Sequence, residues 1–264
     1  MIKKITYAIT AIALILQFGS CDKIEEDDFL QIADTTTIVE NDNFIKKIII
    51  EDFTGHKCSN CPEAAEELHT IQNIYEGKII GIGVHAGFFA IPSTSYPADY
   101  NTNEGTEISS FFNVQENPIG MVNRVEGLLS VPNWLEKVDE QLALEPSIGI
   151  LLSESNNTIT VEAKTLQTIN DDLSLVVCVT ESGIISKQAI PGGAIDDYEH
   201  NHVLRKHLNG TWGDVVPLNS QELQTFTFNL SLDQDWVREN CHVIAYVYNN
   251  SSMEILQAEE IHLN

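Results

Sequence analysis

Two cysteines at a spacing of three frame the segment Cys58-Ser59-Asn60-Cys61, and Pro62 follows at once. That spacing lets both sulfurs sit on the first turn of a helix, close enough to bridge. A thiolate there is stabilised by the free N–H groups and the dipole of the helix end, so it becomes a ready nucleophile. Pro62 costs little at such a position, because first-turn N–H groups have no intrahelical partner. His56 and Lys57, just ahead, favour the thiolate electrostatically. The same pair could instead be a static disulfide in an oxidising compartment, or half of a zinc site. Zinc needs two more ligands, for which His56 and His85 are the only nearby candidates, and no second CxxC exists.

A second conspicuous stretch is Asp196-Asp197-Tyr198-Glu199-His200-Asn201-His202, running on to Arg205, Lys206 and His207. His200 and His202 share one face if the chain is extended, with carboxylates close by. Metal binding is one reading. No helical H-x-x-x-H spacing is present, however, and ligand identity without geometry is weak evidence, so the structural reading is preferred. Cys178 and Cys241 fall inside apolar runs. They read as buried small hydrophobes, or as one disulfide between neighbouring strands if their Cα atoms approach within about 7 Å.

The elements that position these residues follow from periodicity. Residues 45 to 53 read as a buried strand. Helical spacing of Ala65, Leu68, Ile71 and Ile74 predicts a helix over 62–75, stopped by Gly77. A strand over 78–85, an insertion over 88–102, a helix over 104–113, strands at 119–125 and 127–130, and a helix over 132–144 follow. Beyond Pro146 the helical period vanishes. Strands are expected at 147–153, 158–165, 173–181, 224–232, 241–248 and 254–262, separated by Asn- and Asp-rich turns. The fold class is thus an α/β domain over 44–146 followed by an all-β, antiparallel, sandwich-like domain over 147–264.

The chain opens with Lys3 and Lys4, an apolar run from Ile5 to Leu16, and Gly19-Ser20-Cys21. This is the layout of a secretory signal, too short for a comfortable span. A cysteine at the cut resembles the lipobox, with Phe18 where Leu is usual, and implies that Cys21 is lipidated and holds the protein to a membrane. Removing residues 1–20 takes away two lysines and moves the formal charge from −25 to −27. So acidic a chain argues against nucleic acid as a partner. Residues 21–43 carry eight acids against Lys23 alone and read as a tether, reaching up to roughly 75 Å when stretched. No cofactor and no metal is called for.

The stretch Ile48-Ile49-Ile50-Glu51-Asp52-Phe53-Thr54-Gly55, leading to the CxxC, resembles the strand and active-site loop of thioredoxin-type domains. That resemblance implies that Asp52 is the acid beneath the cysteines that passes protons. It also implies that Pro118, in Asn117-Pro118, is the cis-proline beside the disulfide. Lys57 replaces the usual Trp, and Ser-Asn the usual Gly-Pro, so specificity and potential do not carry over. The lipobox, the CxxC after Asp-Phe-Thr-Gly, Asn-Pro-Ile-Gly-Met-Val-Asn-Arg and Glu-His-Asn-His-Val-Leu-Arg together resemble the Omp28-related outer-membrane lipoproteins of Bacteroidetes. The resemblance implies a thioredoxin-like domain followed by a β-rich one. The run Asp22 to Asp28 looks like the export signals that send lipoproteins of that phylum to the cell surface, and Asp34-Thr35-Thr36 like its O-glycosylation acceptor. Two functions are expected from different classes. One is thiol–disulfide exchange with envelope or surface proteins through Cys58, Cys61, Asp52 and Pro118. The other is adhesion or ligand binding with the CxxC as a structural bridge.

Overall fold

The run from Ile48 to Phe53 lacks polar alternation, as a strand covered on both faces should. In the computed structural model, which describes residues 43–218 and 221–264, it forms β1 (Ile48–Thr54), six of its seven residues buried. Cys21, the signal segment and all but the last residue of the tether lie outside the described residues.

Helix α1 (Cys61–Ile74) follows, with Pro62 in its first turn and Cys61, Ala64, Leu68 and Ile71 buried along one face. Strand β2 (Ile79–His85) pairs in parallel with β1. Then come α2 (Asn103–Phe111), capped by Thr102 accepting from the Gly105 amide at 2.9 Å, β3 (Ile119–Val122), antiparallel to β1, and α3 (Trp134–Leu142). The strand expected at 127–130 is reduced to one bridge between Gly120 and Leu129. The Leu129 carbonyl accepts both from the Gly120 amide at 3.0 Å and from the Trp134 indole N–H at 3.2 Å, so the bridge is pinned to the start of α3.

The β-rich half supplies β4 (Ile148–Ser155), β5 (Thr158–Thr165), β6 (Leu173–Glu181), β7 (Ile184–Ile190), β8 (Gly193–His200), β9 (Val203–His207), β10 (Asp214–Val216), β11 (Gln224–Asn229), β12 (Cys241–Asn249) and β13 (Ile255–His262). Strands β7 to β10 have no counterpart in the sequence reading. One sheet runs β13-β12-β6-β9-β2-β1-β3, with β10 also on β6. It therefore crosses residue 146 and joins strands from both halves, and Asp42–Asn264 form one compact unit.

Alternate residues of β6 and β12 go to opposite faces of this sheet. Leu175, Val177, Val243 and Ala245 pack on Ile150, Ile159 and Val161 of the separate β11-β5-β4 sheet. Val176, Cys178, Ile244 and Tyr246 pack instead with Ile49, Phe53, Ile82 and Met121. On the other side of β1, Ile48 and Ile50 meet Ala64, Leu68 and Trp134 from α1 and α3. Strand β9 reaches β2 because Gly81 has no side chain: a Cβ there would lie 2.9 Å from Leu68 and 3.1 Å from the His202 ring. The His202 carbonyl accepts from the Gly83 amide at 2.7 Å.

Candidate functional site

Strand β1 ends at Thr54, and Gly55 turns the chain into the cysteine loop. Gly55 is demanded by crowding, since a Cβ would lie 2.6 Å from the Phe89 carbonyl carbon. The loop is closed by Cys58 N–H to Gly55 O at 2.9 Å and tied sideways by Lys57 N–H to Phe89 O at 3.0 Å. The Lys57 ammonium lies 4.9 Å from the Phe88 ring centre, a cation–π contact. Cys58 and Cys61 form a disulfide across the start of α1, with Cα atoms 5.4 Å apart. Both residues are nearly covered, at 3% and 2% exposure.

Asp52, opposite Gly120 in the ladder, is 4% exposed. Its Oδ1 has no hydrogen-bond partner, and burial raises its carboxyl to about 7. It opens with Cys61 on a cleft of about 430 Å³. The Asn117–Pro118 peptide is cis, as the thioredoxin resemblance implies. Pro118 lines a different groove, with Asn60, Glu63 and Val131. All four residues named from sequence thus gather about the first turn of α1, with Asp52 and Pro118 facing separate hollows.

The hairpin β7–β8, missed from sequence, folds over the loop. The Gln188 side-chain amide donates to Cys58 O at 2.8 Å, and the Ala189 amide to His56 O, also at 2.8 Å. Ser186 is bonded to the Tyr100 hydroxyl at 2.7 Å and to His200 Nε2 at 3.0 Å. This brings His200 into the cleft of Asp52 and Cys61, together with Tyr198, His202, His69 and His85. Burial drives three imidazoles towards neutrality: His85 falls to about 3, helped by His200 and His56, while His200 and His202 fall to about 4. His56 is fully buried and stacks on Tyr96. Burial lowers its pKa too, with Lys57 adding to the effect.

The acid- and histidine-bearing stretch is therefore divided among several tasks. His200 enters the cleft, Asp196 pairs with Lys187 across the hairpin at 2.7 Å, and His207 lies against the carbonyls of Gly210 and Thr211. Among the described residues no three His, Cys, Asp or Glu side chains are grouped to hold a metal ion. Cys178 stands opposite Ile244 and Cys241 opposite Glu181, on different faces of the sheet, and both are free thiols. The inter-strand bridge is thereby excluded, and burial raises both thiols.

The motif residues Asn123 and Arg124 have structural tasks that the sequence did not reveal. Asn123 accepts from the Ile49 amide at 2.9 Å, and Arg124 donates to both oxygens of Glu51 at 2.8 and 2.7 Å in the core.

These features define a mixed α/β protein, mostly β, with a buried disulfide at a helix start. The chain belongs to the outer membrane protein Omp28 family, which matches residues 106–264, and its place is the outer membrane. The match takes in Pro118, Arg124 and His200 but begins beyond Cys58 and Cys61. Among solved structures, HBP35 of Porphyromonas gingivalis is similar, with TM-score 0.66 and 18% identity over 83% of this chain and 76% of that one. Protein AGR_C_4864 from Agrobacterium tumefaciens follows, with TM-score 0.57 and 16% identity over 83% of this chain and 96% of that one. A domain of the outer membrane lipoprotein Omp28 from P. gingivalis gives TM-score 0.32 and 20% identity over 46% of this chain and 91% of that one. No curated protein matches the sequence.

Proposed function

We propose that this chain is a lipoprotein, anchored through Cys21 and facing the cell surface, that exchanges disulfides with envelope or surface proteins. Residues 44–146 act as a thioredoxin-like part and 147–264 as a β-rich part continuing its sheet. The order β1-α1-β2-α2-β3-α3, with β2 parallel and β3 antiparallel to β1, supports the thioredoxin-like reading. The observation that carries exchange is Asp52: a buried, unpartnered carboxyl with pKa about 7, open to the same cleft as Cys61. A group that holds its proton near neutral pH can pass it to a departing thiolate.

In the reduced state, the Cys58 thiolate attacks a partner disulfide, forming a mixed disulfide and releasing one partner thiolate. Cys61 loses its proton to ionised Asp52 and attacks Cys58 Sγ. The second partner thiolate leaves, and the Cys58–Cys61 bridge remains. The reverse sequence oxidises a partner dithiol. Pro118 borders the groove beside Asn60 in which the partner chain lies.

One observation favours a second reading, adhesion or ligand binding with the bridge as a staple: the hairpin covers the loop and leaves both cysteines almost unexposed. The deciding experiment combines a glutathione redox titration with trapping by Cys61→Ser. Exchange predicts a potential of roughly −120 to −270 mV and a covalent adduct at Cys58. A potential below about −300 mV with no trapped partner overturns exchange and leaves the staple.

A further inference from the structure

The cleft beside Cys61 has the size of a small-ligand site and an unusual charge balance. At its floor is Asp52, more than nine-tenths buried, with Oδ1 unpartnered. His85, buried to the same degree, also lines it and leaves Nδ1 unpartnered. Two unpartnered polar atoms buried just behind the lining of one cleft are costly, and a ligand charge beside them offsets that cost. Glu66 of α1 and Glu199 of β8 line it as exposed residues, and half-buried Tyr198 lines it too. Burial first, then the charges of Asp52 and Glu66, raise the Tyr198 phenol, so negative potential converges on that ring. Among the described residues lining the cleft there is no lysine or arginine to offset it. His85, His200 and His202 stay uncharged at neutral pH, so these three imidazoles do not repel a cation.

We infer that this cleft binds an organic cation, a primary ammonium on an alkyl stem, between Asp52, Glu66, Glu199 and the face of Tyr198. The ammonium offers three donors to the carboxylates of Asp52, Glu66 and Glu199. The alkyl stem and charge suit an aromatic face. The same chemistry is carried by a free diamine and by a lysine side chain of a polypeptide. A bound ammonium favours the ionised form of Asp52, so occupancy lowers the pKa of that carboxyl. The site does not depend on disulfide exchange: failure of Cys61→Ser to trap a partner leaves it untouched.

The test is calorimetric titration of the oxidised, signal-free full chain with three probes: 1,5-diaminopentane, a short peptide with one central lysine and blocked ends, and 1-pentanol. The diamine binds and pentanol does not. Binding of the peptide as well assigns a polypeptide lysine, whereas its exclusion assigns the free amine. Glu66→Gln and Glu199→Gln, rim changes that spare the core, each weaken binding about two- to fivefold. Asp52→Asn weakens it about tenfold or more. Carbon-13 NMR of Asp52 reports a lower carboxyl pKa at saturation. The proposal is overturned if neither amine binds at millimolar concentration, if pentanol binds as well as the diamine, or if both glutamine variants bind like the parent.

Discussion

Gln188 donates its side-chain amide to the carbonyl of Cys58 at 2.8 Å, so a residue of the β-rich half holds the cysteine loop of the other half in place. The same amide also donates to Ala189 O at 3.0 Å, and the Ala189 amide bonds to His56 O. Gln188→Ala leaves the buried Cys58 carbonyl without this donor, at a cost of about 1–3 kcal/mol. The loosened hairpin should expose the bridge, so dithiothreitol reduces the variant's disulfide several-fold faster. Stopped-flow reduction with urea unfolding checks both effects. An unchanged reduction rate at lowered stability would show that the hairpin does not limit access.

The cysteine loop was legible in sequence because its signals are local. An apolar strand, a turn, Cys-x-x-Cys and a proline state their structure within about fifteen residues, and Asn117-Pro118 stands just ahead of a short apolar run. The hairpin was not legible for the opposite reason. Ile185 and Ile195 are exposed, and β7 and β8 pair only with each other, so neither strand shows the alternation that a buried face imposes. Its position is set in part by a backbone bond from Ala189 to His56, more than a hundred residues earlier, which leaves no pattern in side-chain types. The candidate cleft was half visible for that reason. Asp52 and Cys61 carry their signal in the local motif, whereas His200 stands out by its neighbours in sequence and not by its neighbours in space. The single sheet across residue 146 was hidden likewise, since β9 meets β2 through one register pair, Gly83 with Val203.

Arg124 and Glu51 form a two-bond ion pair with almost no exposure, and Arg124 also donates to the Tyr246 hydroxyl at 3.1 Å. Removing one partner strands a buried charge. Arg124→Met should therefore destabilise by about 3–5 kcal/mol, while Glu51→Leu with Arg124→Met should lose less than the sum of the single changes. A double-mutant cycle from urea unfolding measures the coupling; additive losses would contradict it.

Cys178 and Cys241 are free and face different cores. Non-reducing peptide mapping should find the Cys58–Cys61 bridge and two unmodified thiols that alkylate only after denaturation. Cys178→Ser, placing a hydroxyl in the core among Ile244 and Tyr246, should cost about 1–3 kcal/mol with no change in the disulfide map. A Cys178–Cys241 peptide in the native protein would refute the assigned register.

Acid and base act on this fold through opposite shifts. His85, His200 and His202 have folded-state pKa values of about 3, 4 and 4, below the ordinary 6.5. Their contribution is complete above about pH 6.5 and is lost as pH falls towards 4, because the unfolded chain takes up protons that the buried rings refuse. The charged groups facing them are Asp52, Glu66 and Glu199 in the cleft and Arg205 beside His85, with His56, His69 and His242 as further imidazole neighbours. Asp52 runs the other way. Its folded pKa of about 7 exceeds the ordinary 3.8, so its contribution is complete below 3.8 and is lost as pH rises through 7. The three histidines together should cost at least about 2 kcal/mol between pH 6.5 and 4. Asp52→Asn should raise stability above pH 7 by about 1–3 kcal/mol while leaving the acid limb unchanged. Urea unfolding from pH 4 to 9, on the parent and on that variant, separates the two limbs. An alkaline limb that survives in Asp52→Asn would mean that another group, such as half-buried Glu260 with its pKa also raised to about 7, governs it.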